Sequence, residues 1–152
     1  MRLWFAAMIL GAAPALAEGE PIDAYIAAYE AKDVAAMRAT LAEDFVYYDF
    51  PQALRYDSAE AFATALGGYL ATLAEQGVRV RVDTSCRPFQ ARADTAAIQT
   101  WMLCEHASAY RGGGADQDER FLAIYGLGDG RIHRIERLGD LADPAADGEA
   151  GQ

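Results

Sequence analysis

The sequence predicts an α+β domain in which three N-terminal helices pack on a curved antiparallel sheet and enclose a cone-shaped pocket. Two observations support this fold class. Apolar residues recur at helical spacing up to about Glu75, and beyond Gly77 the apolar period changes to two. The chain has 152 residues, of which 53% are hydrophobic, enough to build one sizeable core.

The N-terminus has the pattern of a secretory signal. The stretch MRLWFAAMILGAAPALA combines a basic Arg2, an apolar run and a small-x-small ending. Its apolar part, about 15 residues, is shorter than the ~20 that span a bilayer. We therefore expect residues 1–17 to be a cleaved signal peptide, residues 18–140 to form the folded domain, and residues 141–152 to be a disordered acidic tail. The expected location is periplasmic or secreted, with no stable membrane span after cleavage.

Charge limits the choice of partners. The chain carries 23 acidic and 13 basic residues, a net charge of −10. Such a surface repels nucleic acid and anionic lipid, so neither is an expected partner.

Cys86 and Cys104 are the only cysteines. An even pair in an exported protein predicts a disulfide. Two thiols at this separation, without paired histidines, make a poor metal site, and we expect neither a metal nor a cofactor.

Helical patterns fill the first half of the predicted domain. The first helix has an apolar stripe, and Asp33 caps a second helix with a stripe of its own. After a strand-like FVYY, Asp57 and Glu60 have the spacing of a capping box, which predicts a third helix to about Glu75. The two stripes consist of Ile22, Tyr25, Ile26 and Tyr29, and of Val34, Met37 and Leu41.

Alternating patterns fill the second half. VRVRVDTSC and AAIQTWMLCEHASAY are typical of a hairpin with a turn at residues 92–95, which would place Cys86 opposite Cys104. RGGGADQ predicts another turn, followed by the strands RFLAIYGL and RIHRIERL. Trp101 and Leu103 would face away from the helices, joined by Phe121, Ala123 and Tyr125. An apolar outer face of this kind predicts a homodimer.

The stretch YIAAYEAKDVAAMRATLAEDFVYYDFP, with the ending DGRIHRIERLGD, resembles the nuclear transport factor 2-like superfamily. The similarity is to its SnoaL-like and ketosteroid isomerase-like branch, spans about residues 20–139, and implies a cystatin-like roll. Members include enzymes, binding proteins and dimerisation modules.

The resemblance also implies site residues. Tyr25 corresponds to a tyrosine that donates a hydrogen bond to a developing oxyanion, and Asp49 to the general base. The position of a second, acidic donor corresponds to Leu122, which cannot donate. This departure argues against steroid isomerase activity.

Other residues are expected to line the pocket if their strand faces turn toward the helices. His106, Thr100 and Met102 share one strand face, and the resemblance aims Arg137 at a carbonyl or anionic group. His106 would serve either as an acid or base or as a hydrogen-bonded core residue.

Alternatives remain for the other polar candidates. Arg137 would bind a ligand, lie on the surface, or pair with Asp49 or Glu136. Asp49 would be either a base or the residue that ends its strand, and Tyr25 either a pocket or a core tyrosine.

Two functions follow from this pattern. The first is an exported protein that binds a small apolar or carbonyl-bearing molecule and, if it is an enzyme, catalyses isomerase or lyase chemistry by proton transfer without a metal. The second is a non-catalytic dimerisation or protein-interaction module of the same fold.

Overall fold

The computed structural model describes residues 19–89, 96–114 and 116–142. The predicted signal peptide, the predicted turn at 92–95 and most of the predicted tail lie outside these ranges. The elements in chain order are α1 (Glu20–Ala31), α2 (Val34–Ala39), β1 (Leu41–Asp49), β2 (Leu54–Tyr56), α3 (Ala59–Glu75), β3 (Arg79–Pro88), β4 (Thr100–Arg111), β5 (Gln117–Gly128) and β6 (Arg131–Asp140).

Local sequence explains where the helices begin and end. Asp33 caps α2, as predicted, by accepting a hydrogen bond from the Ala36 N–H at 2.9 Å. The predicted cap of α3 was wrong by one residue, because Ser58, not Asp57, accepts from the Ala61 N–H. A glycine with φ of 68°, Gly77, then turns the chain into β3.

The strands form one sheet in the order β2-β1-β6-β5-β4-β3. Strands β3 to β6 are the predicted antiparallel meander, but β1 pairs with β6 in parallel, which differs from the prediction of an antiparallel sheet. Register shifts between Leu122 and Ala123 and between Gly126 and Leu127 interrupt the β5–β6 pairing. Irregularities of this kind bend a sheet and increase its twist.

The helices cover one face of the sheet, and the core lies between them. Its fully buried side chains come from both layers, and they are Phe45, Ile22, Met37, Leu41, Leu70, Ile132, His106 and Cys104. The α+β fold class is thus confirmed, with the three helices on a six-stranded sheet in the described residues.

The predicted disulfide is present. Cys86 and Cys104 are register partners across β3 and β4, and their sulfur atoms are bonded. Cys104 is fully buried against the core, so the bond ties the edge strand β3 to the interior.

Candidate functional site

A cavity of about 350 Å³ opens between the helices and the inner face of the sheet. Six tyrosines surround it, a concentration that sets its chemistry. They are Tyr25, Tyr29, Tyr47, Tyr69, Tyr110 and Tyr125. Seven other lining residues are apolar, and they are Ile26, Phe62, Leu66, Val82, Phe121, Ala123 and Ile135. The remaining five are polar or charged, and they are Gln52, Ser108, Gln117, Glu119 and Arg137.

Burial keeps the tyrosine hydroxyls protonated. Desolvation raises the pKa of Tyr25, and the neighbouring hydroxyls of Tyr125 and Tyr47 raise it further. Desolvation likewise raises the pKa of Tyr125, with Tyr47 as the second cause. All three of these tyrosines line the cavity, and their hydroxyls are neutral groups that can donate hydrogen bonds.

The other three tyrosines of the cavity interact with one another. The hydroxyls of Tyr29 and Tyr110 are 3.0 Å apart. Tyr69, which is 46% exposed, interacts with both, and burial together with Tyr110 raises its pKa to about 12. Because Tyr69 is exposed, this group lies where the cavity meets solvent.

Asp49 lies behind the cavity wall. Its side chain is buried, and its two carboxylate oxygens accept hydrogen bonds from the Tyr47 hydroxyl at 3.3 Å and the Gln52 N–H at 3.1 Å. Asp49 is not itself a lining residue, but both of its donors belong to residues that are. Of the two predicted alternatives the geometry fits the residue that ends its strand, since Asp49 caps the turn after β1; its role as a base stays a prediction, and its contact with the cavity runs through Tyr47.

Arg137 lines the cavity, as the predicted inward face of β6 requires. Its guanidinium pairs with Glu119 and with Asp140, the latter at 2.6 Å, and lies 4.5 Å above the centre of the Phe121 ring. The expected alternative pairings with Asp49 or Glu136 do not occur. Burial lowers the pKa of Arg137, but the hydrogen bonds to Asp140 and Glu119 outweigh that effect and raise it.

One polar atom at Arg137 has no partner. Its Nε is buried and makes no hydrogen bond to the described residues. An unpaired buried donor is costly, so this atom makes the Arg137 side chain less stable in its place.

His106 is fully buried beneath the cavity and does not line it. Its Nδ1 lies 3.0 Å from the Thr84 hydroxyl and its Nε2 lies 3.0 Å from the Tyr125 hydroxyl. Its ring stacks on Phe121 at 4.8 Å, and burial lowers its pKa to about 4. Of the two predicted roles the geometry fits the hydrogen-bonded core residue, whose contact with the cavity runs through Tyr125.

Three predicted pocket residues lie elsewhere. Met102 is buried in the core, and Thr100, at the beginning of β4, pairs with Leu127; neither lines the cavity. Leu122 is on the outer face of β5, because the cavity takes the odd-numbered residues of that strand from Gln117 to Tyr125.

The outer face of the sheet also differs from its prediction. Phe121, Ala123 and Tyr125 face the cavity and do not join Trp101 and Leu103. Leu122 and Ile124 occupy the outer face instead, with Ile124 paired across the strands with Leu103.

Sequence reasoning missed Tyr47, Tyr125 and Glu119 as cavity residues. The signal was the turn RGGG, since a hairpin centred there places Tyr125 opposite Met102 and Phe121 opposite His106, which is the observed register. Counting from that turn would have put the odd residues of β5 on the same face as His106.

The chain matches the family model of the SnoaL-like domain over residues 22–135. This protein belongs to the SnoaL-like family. The match covers nearly all of the helical part and the first half of β6, and it includes every cavity residue except Arg137, so the resemblance inferred from the sequence is confirmed.

Solved structures share this SnoaL-like fold. An LEH-like epoxide hydrolase from M. tuberculosis is 23% identical, with 78% of each chain covered and a TM-score of 0.51. A cystatin-fold protein from Novosphingobium aromaticivorans is 16% identical, with 82% of this chain and 100% of that chain covered and a TM-score of 0.57.

A third structure, from Catenulispora acidiphila, has a ketosteroid isomerase-like fold and was determined in complex with trimethylamine. It is 16% identical, with 80% of this chain and 86% of that chain covered and a TM-score of 0.55. At these identities the likeness shows the fold alone. No curated protein matches this SnoaL-like chain.

None of the described helices is long and apolar enough to cross a membrane. In the same part of the chain, no group of three or more histidine, cysteine, aspartate or glutamate side chains could hold a metal ion.

Proposed function

We propose that this SnoaL-like protein is exported and binds a small, largely apolar molecule that carries a carbonyl group. The observation that carries the proposal is the presence of Tyr25, Tyr47 and Tyr125, whose hydroxyls stay neutral, in the wall of a partly apolar cavity. A buried neutral hydroxyl binds a carbonyl oxygen well, because the oxygen accepts a hydrogen bond. The rest of such a ligand is apolar, so its transfer from water into the cavity leaves no polar group unpaired. The volume of about 350 Å³ lies at the lower end for ligand sites, which suits a small molecule.

The charges beside the cavity also favour a neutral ligand. Arg137 is paired with two carboxylates, so it does not present an uncompensated positive charge to an anion.

Chemistry at this site would be proton transfer of the isomerase or lyase type. Tyr47 donates to Asp49, so the Tyr47 oxygen can take a proton from the ligand as its own proton passes to the Asp49 carboxylate. Tyr25 would donate to the oxygen on which negative charge develops. Asp49 is thus the proposed base, and it acts through Tyr47.

Export is supported by two features. The N-terminal stretch has the pattern of a secretory signal, and the disulfide between Cys86 and Cys104 is typical of an oxidising compartment. N-terminal sequencing of the protein from the exported fraction should begin at Glu18. A mature chain that begins at Met1 would contradict the proposal.

The binding proposal is tested by native mass spectrometry of protein purified from its own exported fraction. The wild type should carry a bound small molecule, and Asp49→Asn should retain that molecule unconverted. Asp44→Asn is a matched control, since Asp44 is an exposed carboxylate on the same strand that bonds to His133 and not to Tyr47. An empty cavity in all three proteins, and no binding of added ketones, would refute the proposal.

A second function, a homodimerisation module, is favoured by the outer face of the sheet. Trp101, Leu103, Leu122 and Ile124 form a half-buried apolar strip there, and Leu138 beside it is 39% exposed. Light scattering after size exclusion tests this function. If the strip is the interface, Leu103→Glu should give a monomer, whereas Leu54→Glu, at an exposed leucine on β2, should leave the assembly unchanged. A wild-type monomer at high concentration would exclude this function.

A further inference from the structure

A chain of polar side chains crosses the floor of the cavity from one side of the sheet toward the other. It begins at Thr84 on β3, passes through His106 on β4 and reaches Tyr125 on β5, with 3.0 Å at each step. On the far side, Tyr47 donates to Asp49 on β1. Between Tyr125 and Tyr47 no hydrogen bond is formed, and both residues line the cavity. A ligand oxygen in the cavity can therefore approach the chain at this break.

His106 has the right chemistry for its place in this chain. A neutral imidazole has one N–H donor and one acceptor nitrogen, and its two neighbours are hydroxyls that can act either way. Among the described residues no carboxylate bonds to the ring nitrogens, and stacking on Phe121 and full burial keep the ring from solvent. The direction of the Thr84 hydrogen bond therefore fixes which ring nitrogen carries the hydrogen, and so decides whether Tyr125 accepts from the ring or donates to it.

The direction of the chain follows from the charge at its far end. The Asp49 carboxylate attracts positive ends of dipoles, so donors that all point toward β1 are favoured. In that arrangement Thr84 donates to Nδ1, Nε2–H donates to the Tyr125 oxygen, and the Tyr125 hydrogen is left for the cavity. In the reverse arrangement Tyr125 would present only lone pairs to a ligand.

We propose that Tyr125 is a second hydrogen-bond donor to the ligand oxygen, beside Tyr25, and that His106, held by Thr84, positions Tyr125 for that role. The role of Tyr125 toward a ligand rests on the proposed function. The position of the hydrogen on the His106 ring does not depend on that function. Tyr125 also supplies the donor that Leu122 could not provide. His106 is a positioning residue here, since Tyr125 separates it from the ligand.

The protonation of the ring is tested without any ligand. Long-range ¹⁵N–¹H spectra of the histidine ring protons distinguish the two neutral forms. We expect His106 with hydrogen on Nε2 and with Nδ1 accepting. Hydrogen on Nδ1 would overturn the inference, whatever the protein binds.

Variants test the connection to Thr84 and Tyr125. Thr84→Val should change the Nδ1 signal, and Tyr125→Phe should change the Nε2 signal. Tyr29→Phe is the matched control, because it removes a cavity hydroxyl that bonds to Tyr110 and not to His106, so both ring signals should stay the same. If Tyr125→Phe fails to fold, Thr84→Val still tests the direction of the chain.

The role toward a ligand is tested with acetophenone labelled with ¹³C at its carbonyl. Its infrared carbonyl stretch should move to lower frequency on binding, and Tyr125→Phe should lose part of that shift and weaken binding about five- to tenfold. His106→Gln, which keeps an N–H donor near the position of Nε2, should retain more of the shift than His106→Phe. An equal shift in wild type and Tyr125→Phe would refute the donor role. If acetophenone and other ketones fail to bind while Nε2 carries the hydrogen, the chain stands and the proposed function fails.

Discussion

Asp49 and Arg137 are register partners on the parallel strands β1 and β6, yet their side chains bind separate partners. Asp49 accepts from Tyr47 and Gln52, while Arg137 pairs with Glu119 and Asp140. A direct ion pair between the two would occupy both groups with each other. The observed separation leaves Asp49 connected to a cavity tyrosine and leaves the Arg137 Nε without a partner.

The pairing of Arg137 with Glu119 predicts that the cavity will bind an anion more tightly once the Glu119 charge is removed. Glu119→Gln removes one of the two carboxylates that neutralise the guanidinium, so an anion such as benzoate should bind about tenfold more tightly. Asp140→Asn is the control, because Asp140 is more exposed than Glu119 and its charge is better screened, so a smaller gain is expected. Titration calorimetry measures both. Equal benzoate affinity in wild type and Glu119→Gln would show that Arg137 does not face the ligand.

Burial of His106 predicts a stability that depends on pH. Because burial lowers its pKa from 6.5 to about 4, the unfolded chain takes up a proton before the folded protein does. The contribution of the neutral ring is complete above pH 6.5 and is lost as the pH falls toward 4. We expect wild type to lose about 2 kcal/mol more unfolding free energy than His106→Gln between pH 7.5 and pH 5. Urea unfolding at the two pH values measures this difference, and parallel losses in the two proteins would contradict it.

The disulfide predicts a second contribution to stability. Cys86 and Cys104 are 18 residues apart in sequence. In the chain-entropy model a bond that closes a loop of this size adds about 3 kcal/mol to the free energy of unfolding, because it restricts the unfolded chain. The double variant Cys86→Ser and Cys104→Ser should unfold at correspondingly lower urea concentration. Intact mass provides the direct check, since reduction of the wild type must add two hydrogens; an unchanged mass would mean that the bond is absent.

Close packing at the end of β5 predicts that Gly128 cannot be replaced. A Cβ at this position would lie 1.9 Å from the carbonyl oxygen of Ala97, so Gly128→Ala should destabilise the fold by about 3 kcal/mol. Gly68→Ala is the matched control. It lies in α3 with nothing within 4 Å of the added carbon, and it should stabilise the helix by up to about 1 kcal/mol. Thermal unfolding of both variants distinguishes the two effects.

Much of this fold could be predicted because its signals are local. The cap at Asp33, the alternation of β3 and the pairing of Cys86 with Cys104 each depend on residues close in sequence, and all three were confirmed. No such local signal explains the glycine pair in α3. At Gly67 an added Cβ would meet Val34 only at ordinary contact distance, so the helix does not require either glycine for space.

The candidate site was harder to predict because it depends on which face each strand turns inward. Leu122 was assigned from a distant turn across the register shifts of β5 and β6, and a shift of one residue exchanges the two faces of a strand. The parallel pairing of β1 with β6 was also missed, since no local pattern reports which distant strand is a neighbour. The bond between His106 and Tyr125 follows from the register of β4 and β5 together, and neither strand indicates it alone.

The parallel pairing of β1 with β6 has a consequence for when the protein can fold. Leu41 pairs with Ile132, so the strand that begins the sheet waits for nearly the whole chain before it gains its neighbour. Contacts so distant in sequence form slowly, because a long loop must close first. A nascent chain that still lacks β6 has no Ile135 and Arg137 in its cavity wall and no strand to join β1 to β5. Under the proposed export, this arrangement would postpone folding until the last strand had been delivered.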